Sequence, residues 1–472
     1  MKGKHNVSIV WFRKDLRVSD NPALLAASGG IVVPLFIWAP EEEHDWPPGG
    51  ASRWWLDRSL TALQEDLAKC GSNLVIRRSK SLPALLSIIQ ETQAKTVFWN
   101  RCYEPWMLKR DHEIESALRA QGIRVKIFNA GLLKEPASIL NRQGKPYQIF
   151  TAYWNWFLEK DEMAKPCSRP RMLVGPRLWP HSLSVQDLRL RPSFDWAEGI
   201  DQTWKPGERN AQKILRKFAK GPVLHYREER DRPDHEGTSR LSPYLHFGEI
   251  SPRTVWNAIP KSQRSLSYLR QIVWREFSYY LLYHFPHIHS SGLRRKYDGF
   301  PWRDEKHVFK AWQEGKTGYP IVDAGMRQLW RTGWMHNRVR MIVASFLVKH
   351  LLIRWQKGAR WFWDTLVDAD LANNTMGWQW AAGCGADAAP YFRIFNPVLQ
   401  GEKFDPQGNY VRRWVSELVH LPASWIHKPW QAPEKVLSQA GIVLGQTYPE
   451  PIVNHEFARR RALTAYAQYW KK

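Results

Sequence analysis

Short runs of apolar, β-branched or aromatic residues recur at 7–12, 31–38, 74–77, 96–99 and 125–128. Between them, apolar positions repeat at helical spacing over about 53–70, 82–94 and 105–121. Strand-length runs alternating with helices predict a doubly wound, parallel α/β sheet. Residues 131–204 lack a clear period and are rich in proline, with Pro166, Pro170, Pro176, Pro180 and Pro192. They read as a long surface connection carrying one helix near 148–160. Beyond about 205 the pattern is helical almost throughout, with 267–283, 318–331, 337–355 and 359–371 as the clearest segments. The predicted organisation is an α/β domain over 1–130, a connection over 131–204 and an all-α domain over 205–472.

Composition refines this picture in three ways. A chain of 472 residues with 43% hydrophobic content supports two or three packed domains and excludes general disorder. Its 27 tryptophans exceed what cores need, which leaves some for stacking or electron transfer. Lys plus Arg is 69 against 45 for Asp plus Glu, a formal charge of +24. The excess lies in short clusters such as Arg294-Arg295-Lys296 and Arg459-Arg460-Arg461, so a folded basic surface and a nucleic-acid partner are expected. Cys70, Cys102, Cys167 and Cys384 lie far apart, without a CxxC pair, so neither a metal site nor a disulfide framework is expected. There is no secretory h-region and no apolar run of membrane-spanning length, which predicts a soluble, cytoplasmic protein.

Four stretches carry candidate chemistry. In Asp368-Ala-Asp-Leu-Ala-Asn-Asn-Thr-Met-Gly-Trp-Gln-Trp-Ala-Ala382, two carboxylates and two amides precede Trp378 and Trp380. Such a set suits a buried planar ligand, hydrogen-bonded at its edge and packed on its face; read alone it is also an ordinary helix end. Gly237-Thr-Ser-Arg-Leu-Ser242 is a hydroxyl-rich turn before a helical pattern, either a phosphate cradle or an N-cap. In Gln271-Ile-Val-Trp274-Arg275-Glu276-Phe277, the amide and the indole share one helix face, with Arg275 a turn beyond Gln271. In Gly333-Trp-Met-His-Asn337-Arg338-Val-Arg340-Met341, Asn337 and Met341 are four apart and share a face. The strand at 7–12 leads into Arg13-Lys14-Asp15 rather than GxGxxG, so a Rossmann dinucleotide site is not expected there.

In order and spacing, TSRLS, WREF, TGWMHNRVRM, DADLANN, GWQWAA and YFRIFNP resemble the DNA photolyase/cryptochrome family, and bacterial class I cyclobutane dimer photolyases most. The resemblance runs from VWFRKDLR in the first strand to the final helices. It implies one FAD in the helical domain and an antenna chromophore, methenyltetrahydrofolate or a deazaflavin, at the α/β domain. It also implies a monomer that acts on UV-damaged DNA with little sequence preference. By matching position, Tyr226, Thr238, Ser239, Arg240, Leu241, Ser242 and Arg275 would hold the phosphates and ribitol. Asp370 would meet the ring edge, Asn374 the reactive ring nitrogen, and Asp368 would pair with Arg340. Trp378, Trp355 and Trp302 would form the electron chain from the surface to the flavin. Trp274 and Trp380 would wall the extruded dimer, with Gln271 beside it, Asn337 and Met341 below, and Arg230, Arg338 and Arg393 at the rim.

Two positions depart from the class I pattern. Gln271 stands where those enzymes have Glu, as in (6-4) photolyases and cryptochromes. Met107 falls where some class I enzymes have a folate-binding Glu, so a deazaflavin, a folate held differently, or no antenna all fit the sequence. Asn374 argues against a cryptochrome photoreceptor, many of which have Asp or Cys there, and so does a chain ending at Lys472 without an extended tail. Two His where Asn337 and Met341 stand would mark a (6-4) enzyme. The reading is light-driven repair of cyclobutane pyrimidine dimers.

Overall fold

The structure is a computed structural model and describes residues 7–159, 163–191, 196–391 and 393–470. Pro192, Phe392 of the YFRIFNP run, Lys472 and the end of the helix predicted at 148–160 lie outside them. Five strands form one parallel sheet: β1 (Val7–Phe12), β2 (Ile31–Trp38), β3 (Val75–Arg78), β4 (Thr96–Asn100) and β5 (Arg124–Phe128), in the order β3-β2-β1-β4-β5. The intervening helices are α1 (Pro22–Ala27), α2 (Gly50–Ala68), α3 (Ser81–Thr92) and α4 (Pro105–Ala120).

Alternation along β1 decides what packs where. Ile9 and Trp11 join Leu85 and Ile88 of α3 and Ile114 and Leu118 of α4 in one core. Val10 and Phe12 face α1 and α2, in a core that continues without a break into the helical domain. Trp55 of α2 makes that join: its ring lies 5.0 Å from Tyr244 and its Nε1 donates to Glu249 at 3.1 Å. Gly248, at φ +66, lets the two domains close, because a Cβ there would sit 2.1 Å from the Lys14 carbonyl oxygen.

The switch point between β1 and β4 is where a dinucleotide would dock in such a sheet. Here side chains fill it. Arg13 pairs with Asp111 at 2.5 Å, Lys14 pairs with Glu104, and Asn100 donates to Asp15 at 2.6 Å.

The connection carries the predicted helix, α5 (Phe150–Glu159), and a further one over Glu198–Thr203. Its later part runs along the sheet rather than away from it, with Val32 N–H donating to the Val174 carbonyl at 2.8 Å.

The helices that build the site are α6 (Leu266–His284), α7 (Pro320–Thr332), α8 (Asn337–Ser345), α9 (Trp355–Thr365) and α10 (Leu371–Ala382). Two predicted helices end early. The segment 337–355 leaves α-geometry at Phe346–His350, a π-turn that presents buried Lys349 to the Arg393 carbonyl and buried His350 to His455, both at 2.9 Å. Leu352 then takes φ +53, and α9 begins only at Trp355. The segment 359–371 ends at Thr365, where Leu366 turns to extended backbone and Val367 N–H donates to the Gly333 carbonyl at 2.8 Å; Asp370 then caps α10.

Candidate functional site: two joined cavities in the helical domain

Two cavities, of about 250 and 630 Å³, share Gln271, Arg275, Asn337, Arg340, Asp368 and Asn373 as lining residues and so form one continuous site. Helix α6 supplies two adjacent stripes. Tyr268, Gln271, Ile272 and Arg275 line the smaller cavity, while Ser267, Arg270, Gln271 and Trp274 line the larger. Both sets follow the i, i+3, i+4, i+7 spacing of one helix face. Tracing that spacing back from Gln271 and Arg275 finds Tyr268 and Ser267, which the motifs did not single out.

The smaller cavity is cationic. Thr238 to Ser242 wrap one side, Tyr226 adds a phenol, and Arg275 and Arg340 project from α6 and α8. The turn does not serve as a helix cap: the N-cap of Ser242–His246 is Leu241, with no side-chain capping bond. Ser239 Oγ instead accepts from Tyr268 at 3.0 Å. Arg240 holds φ +54, a backbone region that non-glycine residues rarely take, and lies over Trp204 and Trp334 at 4.4 and 5.0 Å. Burial lowers its affinity for the proton, and its Nε has no hydrogen-bond partner in the protein. Ser267 Oγ is likewise buried without a partner. A buried unmade hydrogen bond costs about 1–3 kcal/mol, so these groups fit a ligand that brings acceptor oxygens.

The other two arginines have protein partners. Arg340 grips Asp368 through Nη2 at 2.8 and 3.0 Å. Arg275 donates to the Gly131 carbonyl at 2.9 Å and lies over Tyr279 at 4.8 Å, which ties the site to the start of the connection that leaves the α/β domain. Asp370 accepts from Asn373 N–H at 2.9 Å and from Tyr279, with His246 Nδ1 at 3.5 Å. Burial works against its ionisation, yet His246, Arg275 and Tyr279 together hold it well below the usual carboxylate range.

The larger cavity is walled by rings. Trp274 stacks on Phe150 of α5 with centroids 3.5 Å apart and planes 7° apart. Trp380 packs against Phe395 at 6.4 Å. Asn337 Nδ2 and Met341 Sδ lie 4.0 Å apart. Gln271 Oε1 accepts from Arg230 at 3.4 Å. Asn374 lines this cavity and donates its amide to the Ala359 carbonyl at 3.0 Å. Phe362 and Met376 also line this cavity and were not anticipated; both sit on otherwise ordinary apolar helical positions.

Arg338 and Arg393 line neither cavity. Arg338 is held by Asp231 at 2.9 Å, and Arg393 is exposed beyond the Lys349 contact. Trp302 and Trp355 also lie outside both. Trp378 reaches the larger cavity, and its ring covers Gly358, where a Cβ would fall 2.1 Å away. Trp355 sits one turn earlier on the same face of α9 and is buried. Half-buried Trp302 reaches that segment through Arg303 N–H, which donates to Leu352 O at 2.7 Å. Burial thus falls from Trp378 through Trp355 to Trp302. Trp378 also meets Phe362 and Trp312, at 5.0 and 6.2 Å.

Comparison with known proteins bears on the same regions. Residues 8–171 match the family described as DNA photolyase, and residues 268–468 match the FAD binding domain of DNA photolyase. The chain is 50% identical to a deoxyribodipyrimidine photo-lyase of Agrobacterium fabrum, over 97% of each. It is 43% identical to Cryptochrome-1 of Arabidopsis thaliana, over 99% of this chain and 71% of that one. A solved bacterial class III photolyase from Agrobacterium tumefaciens superposes with a TM-score of 0.97 at 49% identity, covering 100% of this chain and 99% of that one. The class named there is III, beside the class I resemblance of the motifs. Among the described residues, no helix is long and apolar enough to cross a membrane. From its first strand to its last helices, this chain belongs to the DNA photolyase/cryptochrome family.

Proposed function

We propose that the protein reverses cyclobutane pyrimidine dimers in DNA under blue light, with FAD bound in the joined cavities. The observation that carries this reading is the continuity of a cationic cavity with a ring-walled one opening among arginines. Bound there, FAD would supply the light-driven one-electron chemistry that reversal of a cyclobutane ring needs. Tyr226, Thr238, Ser239, Arg240, Leu241, Ser242 and Arg275 hold its phosphates and ribitol. Asp370, Asn374 and the Arg340–Asp368 pair meet its ring system. Trp378, Trp355 and Trp302, running from buried to half-buried, would carry electrons inward from the surface.

Dimer recognition falls to the larger cavity. Trp274 and Trp380 pack on the lesion, and the Phe150 stack keeps Trp274 in place. A dimer has lost its aromatic faces, so extruding it costs less than extruding a normal base. With its oxygen turned to Arg230, Gln271 offers its NH₂ to a thymine carbonyl, which an ionised carboxylate cannot do. Arg230, Arg338 and Arg393 take the flanking phosphates. Asn337 and Met341 cannot supply the proton that a (6-4) rearrangement needs. His336, next to Asn337, is held neutral near pH 7 because burial lowers it to about 4.

An antenna, methenyltetrahydrofolate or a deazaflavin, fits the crevice of about 500 Å³ beside the sheet. There Trp46 meets Trp363 at 5.3 Å and Arg360 lies over Trp46 at 5.4 Å. An absorption band beyond those of flavin, lost in Trp46→Ala, would support that placement.

Titration of dimer-bearing and undamaged strands in the dark tests the lesion site. Trp274→Ala should weaken dimer binding by about 1–3 kcal/mol and leave undamaged DNA nearly unchanged. Equal loss for both strands would refute the assignment. The similarity to plant cryptochromes supports a second reading, a blue-light photoreceptor; flavin-loaded protein without lesion preference would favour it.

A further inference from the structure

A second aromatic and cationic surface lies on the helical domain. It is a groove of about 1230 Å³ between the helix Lys306–Gln313, α7, α9 and the helix Asn409–Trp414. It shares no lining residue with either cavity described above. Within it, Trp330 of α7 and Trp361 of α9 stack in parallel, with centroids 5.8 Å apart and planes 2° apart. Trp330 is 58% exposed, so Trp361 covers one side of the indole and much of the rest faces solvent. Leaving so large a ring open forgoes burial that the fold could have used.

Charge gives the ring its context. Seven Lys and Arg side chains line the groove against one carboxylate, Glu314. Arg327 is committed to Glu417, Lys357 to Asp304, and Lys310 and Lys316 to Glu314. Lys306, Arg331 and Arg413 are exposed and make no ion pair among the described residues. An apolar partner would leave these charges unmatched, and a polyanion without rings would leave Trp330 unused.

We propose that this groove binds single-stranded nucleic acid, with a base stacked on Trp330 and the flanking phosphates on Lys306, Arg331 and Arg413. Stacking accepts any base, and the unpaired cations track the backbone, which makes the contact independent of sequence and of damage. The cations come from three separate helices and the groove encloses about 1230 Å³, which favours a strand over a single free nucleotide. The groove would hold undamaged strand alongside whatever occupies the lesion cavity, and does not depend on the repair reading.

The test uses the full-length flavin-loaded protein and an undamaged oligothymidylate carrying 5-iodouracil, cross-linked by light and mapped by mass spectrometry. Adducts are expected on the Trp330 peptide in the parent and in Trp274→Ala, and should fall at least tenfold in Arg331→Glu/Arg413→Glu. In binding titrations Trp330→Ala should weaken the groove-dependent component by roughly five- to hundredfold, with flavin content unchanged. Adducts confined to the Trp274 peptide would overturn the proposal. Thymidine monophosphate competing as well as the oligonucleotide, phosphate for phosphate, would overturn the strand as the ligand.

Discussion

Arg240 is the residue of the smaller cavity least explained by the fold alone. Its backbone sits at φ +54, its guanidinium lies against two indoles that meet edge-on, and its Nε has no partner among the described residues. Arg275 differs, being bonded to Gly131 as well as facing the cavity. Replacing Arg275 with Ala should therefore lower flavin occupancy at least tenfold, since a charge-assisted bond contributes about 1.5–3 kcal/mol. Measuring FAD per chain after purification checks this, and a normal ratio would remove Arg275 from the site. For the tryptophans, Trp302→Phe or Trp355→Phe should block photoreduction of oxidised FAD and spare repair once the flavin is reduced chemically. Phe keeps most of the packing but is far harder to oxidise. Photoreduction retained in both single variants would redirect the path, and the Trp312 contact with Trp378 marks where to look next.

At the scale of elements, α10 depends on its first residue. Asp370 caps the helix and also faces the cavity, so Asp370→Ala should cost about 1–2 kcal/mol of stability as well as flavin. Asp370→Asn keeps a capping oxygen and should recover most of the stability but not the charge. Thermal unfolding of both variants, with and without added FAD, separates the two effects. The same residue explains what the sequence showed and what it hid. DADLANN reads both as a candidate ligand-binding run and as a helix cap; the cap is observed, and the same Asp370 carboxylate lines the smaller cavity. The predicted helix over 359–371 stops short for a tertiary reason: apolar spacing continues through Leu366 and Val367, but Leu366 is extended and Val367 N–H bonds to the distant Gly333 carbonyl. Likewise the run 337–355 keeps its apolar period through a π-turn that periodicity cannot reveal. The three central strands were legible because they are almost wholly buried, while β3 and β5 at the sheet edges are buried only in part. Phe150 was not, since its role lies in a stack with Trp274 across more than a hundred residues of chain.

Two buried acids, Glu249 and Glu276, sit where the α/β and helical domains meet. Burial pushes Glu249 up to about 8, against donors from Ser59, Gly207 and Trp55, and pushes Glu276 up to about 7 beside Arg275. Both folded values lie above the ordinary 4.5, so the folded state binds protons that the unfolded chain releases. Their contribution is complete below about pH 4.5 and is lost as pH rises through 7 and 8. Asp370 acts in the opposite sense, favouring the fold above its ordinary value and losing that effect in acid. Glu249→Gln should therefore flatten the fall in melting temperature between pH 5 and 8, and an unchanged slope would refute the assignment. The charge of +24 sets a second property of the whole. Affinity for undamaged DNA should fall linearly with salt on logarithmic axes, as counterion release requires.

Splitting a cyclobutane ring restores two thymine double bonds, so repair can be read as the return of thymine absorbance. Reduced, flavin-loaded protein should be mixed with a strand bearing one cyclobutane dimer, and in parallel with one bearing a (6-4) lesion. The account predicts that absorbance returns on the dimer strand under blue light, stays flat in the dark, and never changes on the (6-4) strand. Recovery on the (6-4) strand alone, or none on either strand with flavin and DNA bound, would contradict it.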